Sequence, residues 1–336
     1  MSSAPQKILV IRFSSIGDMV LTTPVLRCLK QIAGSNISLH FLTKKKFSGV
    51  LQHNPYIDRF HLLDDSLWKI IGELRAEKFD FVVDLHHNQR SSLVRLLLGR
   101  PSAAFPKLNI QKWLLTKWGI DRLPRVHIVS RYMKAAMPLG IEDDGKGLDY
   151  FIPETARRWP ASLPRDINGR YIAFVTGAGH ATKRLTDEKI AEVCQSIQRP
   201  VVLLGGQEEA EAGERIARAS GNNVYNLCGQ LSLDGSAWML QQAGVVIAHD
   251  TGLMHIAAAL GKPLVSIWGN TVPEFGMYPY MPDQPHKHII IGVDGLSCRP
   301  CSKIGYPQCP KKHFDCMNRI TALQICQAVA RLENSV

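Results

Sequence analysis

Short apolar runs alternate with stretches of helical periodicity along most of the chain. Residues 7–13 form a nearly continuous apolar run that predicts a buried strand, after which Val25, Leu26, Leu29 and Ile32 recur at helical spacing. Residues 37–43 predict a second strand, 45–53 a helix, 79–84 a third strand and 89–98 another helix. The pattern breaks over the polar, glycine-rich stretch 142–147 and over 153–169, which holds Pro153, Pro160, Pro164 and Gly169. It then restarts. Strands are predicted at 171–175, 201–204, 244–248 and 263–267, and helices at 187–197, 208–219, 232–242, 254–260 and 321–332. Strands separated by helices imply parallel βαβ units. The expectation is an α/β protein of two Rossmann-like, doubly wound parallel-sheet domains facing a cleft, residues 1–164 and 165–336. Ligands in such sheets bind beyond the carboxyl ends of the strands, so the loops after strands are where chemistry is sought.

With 336 residues, 45% of them hydrophobic, each domain can bury its own core. No run reaches the roughly 20 apolar residues of a membrane-spanning helix. The polar start, Met1 to Gln6, lacks the charged and apolar regions of a secretory signal, so a cytoplasmic protein is expected. The charge changes the picture further. Residues 1–164 carry 24 basic against 14 acidic side chains, and residues 165–336 carry 16 against 15. The first half is therefore expected to face something anionic.

Four post-strand loops can carry chemistry. Ser14 to Asp18 follows the first strand. There Gly17 permits a tight turn or a close approach, and Asp18 is either a first-turn helix acid or a carboxylate able to take a proton. In the loop His249 to His255, Asp250 or Thr251 can cap a helix whose free N–H groups at Thr251, Gly252 and Leu253 suit an anion. His255, one turn in, is either an added donor or a packed histidine. Thr176 to Arg184 ends in Lys183 and Arg184, which suit a phosphate. Gly205 to Glu209 offers acids that suit a ribose or simply a helix start. Neither a G-x-G-x-x-G fingerprint at the first loop nor a phosphate-binding G-x-x-x-x-G-K-[ST] motif is present. Together the later loops describe a site for a nucleoside diphosphate.

These motifs resemble glycosyltransferase family 9, the ADP-heptose:lipopolysaccharide heptosyltransferases. The likeness rests on the opening Ile8 to Asp18 with Thr23 and Pro24, the Lys183-Arg184 loop, and Asp250 to His255 followed by Gly261 to Pro263. The Cys-x-Pro-Cys stretch at 298–301 is similar to that of many members. The resemblance implies a GT-B fold, with an N-terminal acceptor domain and a C-terminal nucleotide-sugar domain whose final helix packs back on the first. It implies inverting transfer of a heptose from ADP-heptose to the lipopolysaccharide inner core, with no required cofactor. It further implies Asp18 as general base, and Lys183 with the turn at Thr251, Gly252 and Leu253 as stabilisers of the leaving diphosphate. Asp250 would contact the donor sugar. Thr182, Arg184 and His255 fall in the same donor set. Glu208 would contact the ribose, although the neighbouring Glu209 leaves that register open.

On the acceptor side, Ser15 and Gly17 flank Asp18, and the loop after residue 84 offers Arg90 first, then His87 and Ser91. A phosphorylated, carboxylated lipid core suits the basic half. Lys44 to Lys46 reads as a solvated face. Residues 107–120 alternate lysines with tryptophans and leucines, as an interfacial membrane helix or an ordinary packed helix would. Peripheral contact with the inner face of the membrane is one expectation. Cys298, Cys301, Cys309 and Cys316, with His313 nearby, admit a zinc site, packed thiols or a partial disulfide formed on purification being preferred to it. Competing classes are a transferase with another donor or acceptor, a GT-B epimerase or hydrolase, and a nucleic-acid binder. The last lacks any recognition motif.

Overall fold

The computed structural model describes residues 6–32, 36–64 and 66–334. The chain forms two units, one of residues up to Lys107 together with Val126–Phe151, the other of Leu108–Arg125 together with everything from Ile152 onward. The first unit runs β1 (Lys7–Ile11), α1 (Ile16–Val20), α2 (Thr23–Lys30), β2 (Ser38–Lys44), β3 (Arg59–Leu63), α3 (Leu67–Ala76), β4 (Phe81–Asp84), α4 (Gln89–Leu98) and β5 (Ser102–Ala104). Helix α5 (Asn109–Trp118) belongs to the second unit, and α6 (Ile128–Ala136) returns to the first. The second unit continues with β6 (Ile172–Val175), α7 (Asp187–Ser196), β7 (Val201–Leu204), α8 (Ala210–Ser220), β8 (Val224–Asn226), α9 (Leu233–Gln242), β9 (Val245–His249), α10 (Gly252–Ala259), β10 (Leu264–Trp268), β11 (His288–Gly292), α11 (Asp315–Asn318) and α12 (Ala322–Glu333).

Both sheets are wholly parallel. Their orders are β3-β2-β1-β4-β5 and β11-β10-β9-β6-β7-β8. Helices cover a parallel sheet on both faces, so its central strands are apolar at every position. Accordingly β1 is buried beyond Lys7, with Ile8 opposite both Leu39 and Phe81. Strands β6, β7, β9 and β10 are buried throughout. Chain order reverses direction between β1 and β4 in the first sheet and between β6 and β9 in the second. Beyond the carboxyl ends at such switch points lies the natural ligand crevice of a doubly wound sheet. The loops singled out by sequence lie there: 14–18 after β1, 85–90 after β4, 176–184 after β6 and 250–253 after β9.

Several boundaries differ from those expected. One is the polar stretch 142–147, over which the predicted pattern breaks. The buried guanidinium of Arg27 donates to Asp144, Asp149 and the Gly147 carbonyl, which ties the stretch to the first unit. Residues 108–125 leave the first unit because Leu108 and Leu115 pack against Leu123, Val272 and Phe275. The final helix, expected to return to the first domain, is part of the second unit's core: Ile325, Val329 and Leu332 share one apolar cluster with Ile172, Val193 and Val265. The helix predicted at 45–53 is a 3-10 turn at Lys45–Val50. These shifts also redistribute the charge. Counted by structural unit, basic and acidic residues number 18 and 12 in the first and 22 and 17 in the second, so the excess is no longer confined to one of them.

Candidate active site

In the first unit, β1 ends at Ile11 and delivers Arg12 into the switch-point loop. Ser15 then caps α1 and bonds Asp18, its Oγ donating over 2.9 Å and its backbone N over 3.2 Å to Oδ2. Arg12 Nη2 lies 2.7 Å from Asp18 Oδ1, and the Tyr132 hydroxyl donates to the same oxygen over 3.4 Å. The guanidinium also donates to the carbonyls of Ser14 and Leu85, joining the loops after β1 and β4. Burial pushes the Asp18 carboxyl up, but Arg12 and the Ser15 hydrogen bonds outweigh it and hold the pKa below the usual carboxylate value. Asp18 is therefore a charged carboxylate, its side chain 19% exposed, gripped on one side and open on another. Gly17 is buried in the first turn of α1 rather than in a turn of its own.

After β4 the buried Asp84 carboxylate accepts the backbone N–H groups of His86 (2.9 Å) and His87 (2.7 Å), folding the loop over the strand end. Arg90 projects at the start of α4 beside a cavity of about 260 Å³ lined by Phe13, Lys44, His86, Asn88, Gln89 and Arg90. Lys44, read from sequence as part of a solvated run, thus lines the same space as Arg90. Burial, and then the charges of Arg12 and Lys107, push His86 down to about 3, so it is neutral at physiological pH. His87 is exposed, and its Nδ1 is 2.8 Å from the Phe105 carbonyl oxygen. Ser91 is a correction. It is fully buried, and with Asn88 it forms the capping box of α4, Asn88 N donating to its Oγ and Ser91 N to Asn88 Oδ1. Its hydroxyl holds the helix and offers nothing to an acceptor.

In the second unit, the loops after β6 and β9 bring Lys183 and Asp250 together. Lys183 Nζ donates to Asp250 Oδ2 over 2.6 Å, and the Thr271 hydroxyl donates to the same oxygen over 2.9 Å. Both charged side chains are mostly buried. Thr251 is the extended N-cap of α10 and bonds no helix N–H through its side chain, while Gly252 and Leu253 begin the helix, half-buried. First-turn N–H groups lack helical partners, and the helix dipole adds positive potential there. Buried His249 accepts the Leu185 N–H through Nε2 over 3.1 Å, which pins the loop after β6 to β9. Burial holds that histidine down at about 4 and hence neutral.

Two donor-side expectations are corrected. Thr182 is buried and clasped to Tyr306: its Oγ1 donates to the Tyr306 carbonyl over 3.1 Å and accepts the Tyr306 N–H over 2.8 Å. It shapes the Lys183 loop from behind. His255 is 2% exposed on α10 and is a packed histidine. The two neighbouring acids are oriented differently. Glu208 is exposed, whereas Glu209 folds inward, accepting the Gly206 N–H over 2.9 Å and lying 3.7 Å from Arg184. A Cβ at Gly177 would stand 2.8 Å from the Glu209 carboxyl carbon, so a side chain there would displace the Glu209 carboxylate. Beside Glu209 opens a cavity of about 510 Å³ whose lining includes Gln207, Asn226, Cys228 and Gly229. Sequence reasoning gave no role to Arg12 or Thr271, read Lys44 as part of a solvated face and left Glu209 as the open alternative to Glu208; Arg12 did leave a signal, a cation ending an apolar strand.

Among the described residues, the group of three potential metal ligands within 4.8 Å of one another is His40, His61 and Glu77. Lys7 and Arg59 already neutralise Glu77, and His40 Nδ1 lies 2.9 Å from His61 Nε2. The late cysteines carry free thiols, with Cys298 Sγ 3.8 Å from His313 Nε2. No helix among the described residues is long and apolar enough to cross a membrane.

Comparison with known proteins converges on one family. Residues 67–310 match the family described as glycosyltransferase family 9 (heptosyltransferase). A lipopolysaccharide heptosyltransferase 2 from Salmonella typhimurium is 34% identical over 315 residues, covering 85% of this chain and 87% of that protein. The fold is that of a solved family 9 glycosyltransferase from Veillonella parvula (TM-score 0.79, 22% identity, 98% of each chain covered). It is also that of an E. coli heptosyltransferase solved with ADP (TM-score 0.66, 21% identity, 97% of this chain and 100% of that one). With two parallel-sheet units and this match over more than half its length, the chain belongs to glycosyltransferase family 9 and is a GT-B glycosyltransferase.

Proposed function

We propose that the enzyme moves a heptose from ADP-heptose to the inner core of lipopolysaccharide, with inversion at the anomeric carbon. The first unit takes the acceptor and the second takes the donor. The observation that carries this reading is the Lys183–Asp250–Thr271 group beside the start of α10. A diphosphate competes with Asp250 for Lys183, and the first-turn N–H groups of Thr251, Gly252 and Leu253 receive its oxygens. Asp250, released from Lys183 yet still held by Thr271, accepts a hydroxyl of the sugar. Glu209 replaces Glu208 as the ribose contact, and the neighbouring cavity accommodates the base. Arg184 adds charge at the rim.

On the acceptor side, Asp18 takes the proton of the attacking hydroxyl as that oxygen bonds to the anomeric carbon. The bond from that carbon to the phosphate oxygen breaks, and ADP leaves with the electron pair. Lys183 and the helix start stabilise the developing negative charge. Arg12 and Tyr132 are positioning residues that aim the Asp18 carboxylate. Arg90 and Lys44, with His87 beside them, meet acceptor phosphates or carboxylates.

The test is incubation of the purified enzyme with ADP-heptose and a Kdo–lipid A acceptor, with products followed by mass spectrometry. One added heptose and one ADP per turnover are expected. Asp18→Asn should lose about 10²–10⁴-fold in kcat while still binding ADP. Release of ADP without acceptor would identify a hydrolase. Turnover of uridine or guanosine sugars alone would keep the transferase and discard the heptose donor.

A further inference from the structure

Helix α5 wears its apolar residues outward. Leu108 and Leu115, on one face of the segment, pack against Val272 and Phe275, and Lys112 between them lies over the Phe275 ring. No residue of the helix is buried. On the opposite face Ile110 and Trp113 are 72% and 46% exposed; Trp118, at the margin of that face, is 68% exposed, and Ile120 just beyond the helix is 45% exposed. The two indoles touch each other, centroids 6.5 Å apart. Lys303 donates to the Asn109 carbonyl over 3.1 Å, so the turn carrying Ile304, 65% exposed, adjoins the start of the helix. Exposed apolar area on this scale, concentrated on one face, marks an interaction surface.

The charge around it selects the partner. Residues 108–125 hold four basic side chains and one acid, Asp121, which is bonded to Arg125; of the four, Lys112 lies over the Phe275 ring and Lys117 and Arg122 are exposed. A second copy of the segment would bring like charge against like. Single-stranded nucleic acid stacks on aromatic faces, but the two indoles stand 69° apart and their neighbours are isoleucines. An anionic lipid surface satisfies every feature: tryptophans prefer the headgroup boundary, isoleucines enter the acyl edge and lysines meet the lipid charge. We infer that the outward face of α5, with Ile120 and Ile304, is the surface by which this enzyme docks on an anionic membrane. The inference deepens the proposed function, because a lipid-anchored acceptor resides in such a surface.

The experiment uses the full chain with sedimented vesicles, either phosphatidylcholine alone or phosphatidylcholine with phosphatidylglycerol. Binding to the anionic vesicles only, with a blue shift of tryptophan emission, is expected. Lys117→Gln should weaken it about fivefold, and Trp113→Ser with Trp118→Ser should abolish it. Transfer to a deacylated, water-soluble core acceptor should be unchanged in both variants, which separates docking from chemistry and confirms folding. Equal binding by wild type and the double variant would overturn the inference, as would no binding to anionic vesicles. Tryptophan-dependent dimerisation in light scattering, or oligonucleotide binding without vesicle binding, would also overturn it. Failure of sugar transfer with vesicle binding intact would count against the proposed function alone.

Discussion

Asp18 is gripped by an arginine, and that contact sets its chemistry. Burial alone would raise the carboxyl, and Arg12 at 2.7 Å reverses the sign. Replacing Arg12 with Met leaves the burial and removes the opposing charge, so the pKa of Asp18 rises. The acid limb of kcat/KM, which reports the free enzyme's base, should then move to higher pH; a limb that stays put would mean another group titrates. The sign for stability follows from the depressed pKa. The Arg12–Asp18 pair contributes fully above the unfolded value of about 3.9, and that contribution is lost as pH falls through the lower folded value. On the proposed donor side, Lys183→Ala removes the cation paired with Asp250 beside the start of α10. A loss of about 10²–10³ in kcat is expected, together with weaker ADP binding by calorimetry because the unpaired Asp250 carboxylate then faces the phosphates. Asp18, Lys183 and Asp250 were all legible as residues in post-strand loops. Their partners were not: Arg12 stands six residues from Asp18, and Thr271 comes from the far side of β10.

At the scale of elements, the apolar runs predict seven strands, and all seven are interior strands of the two sheets. The four strands left unpredicted, β3, β5, β8 and β11, are the four edges. The reason is physical. An interior parallel strand is buried on both faces and reads as a continuous apolar run, whereas an edge strand is short or half-polar; β5 has no buried residue and β3 alternates. Helix caps were equally hard to assign. Ser91 offers a hydroxyl in the expected loop, and only the fold shows it closing the α4 box. Ser91→Ala should therefore cost about 1 kcal/mol in denaturant unfolding and leave acceptor KM unchanged; a raised KM at unchanged stability would restore its acceptor role. The 142–147 stretch shows the reverse case, a linker-like composition held in place by one buried cation. Arg27→Met leaves Asp144 and Asp149 unpaired and should destabilise the first unit by about 3–5 kcal/mol, read from urea denaturation.

For the molecule as a whole, each unit has its own core, so ligand effects should be local to one of them. ADP at about 100 times its Kd is expected to add about 2.7 kcal/mol to the second unit. Hydrogen exchange should slow in β6, β9 and α10, with the amides of β1 and β4 unchanged; protection confined to the first unit would reverse the assignment of the units. The sequence by itself determined the class of fold, the interior strands and the loops that lie beyond the strand ends at the switch points. Those follow from local periodicity and from the rule that ligands gather beyond strand ends. Only the tertiary structure decided where the units divide, which acid near Glu208 turns inward, and which face of α5 is left outside. Each of those depends on side chains far apart in the chain meeting across the fold, as Arg27 meets Asp144 and Leu115 meets Phe275, and no local pattern encodes such meetings.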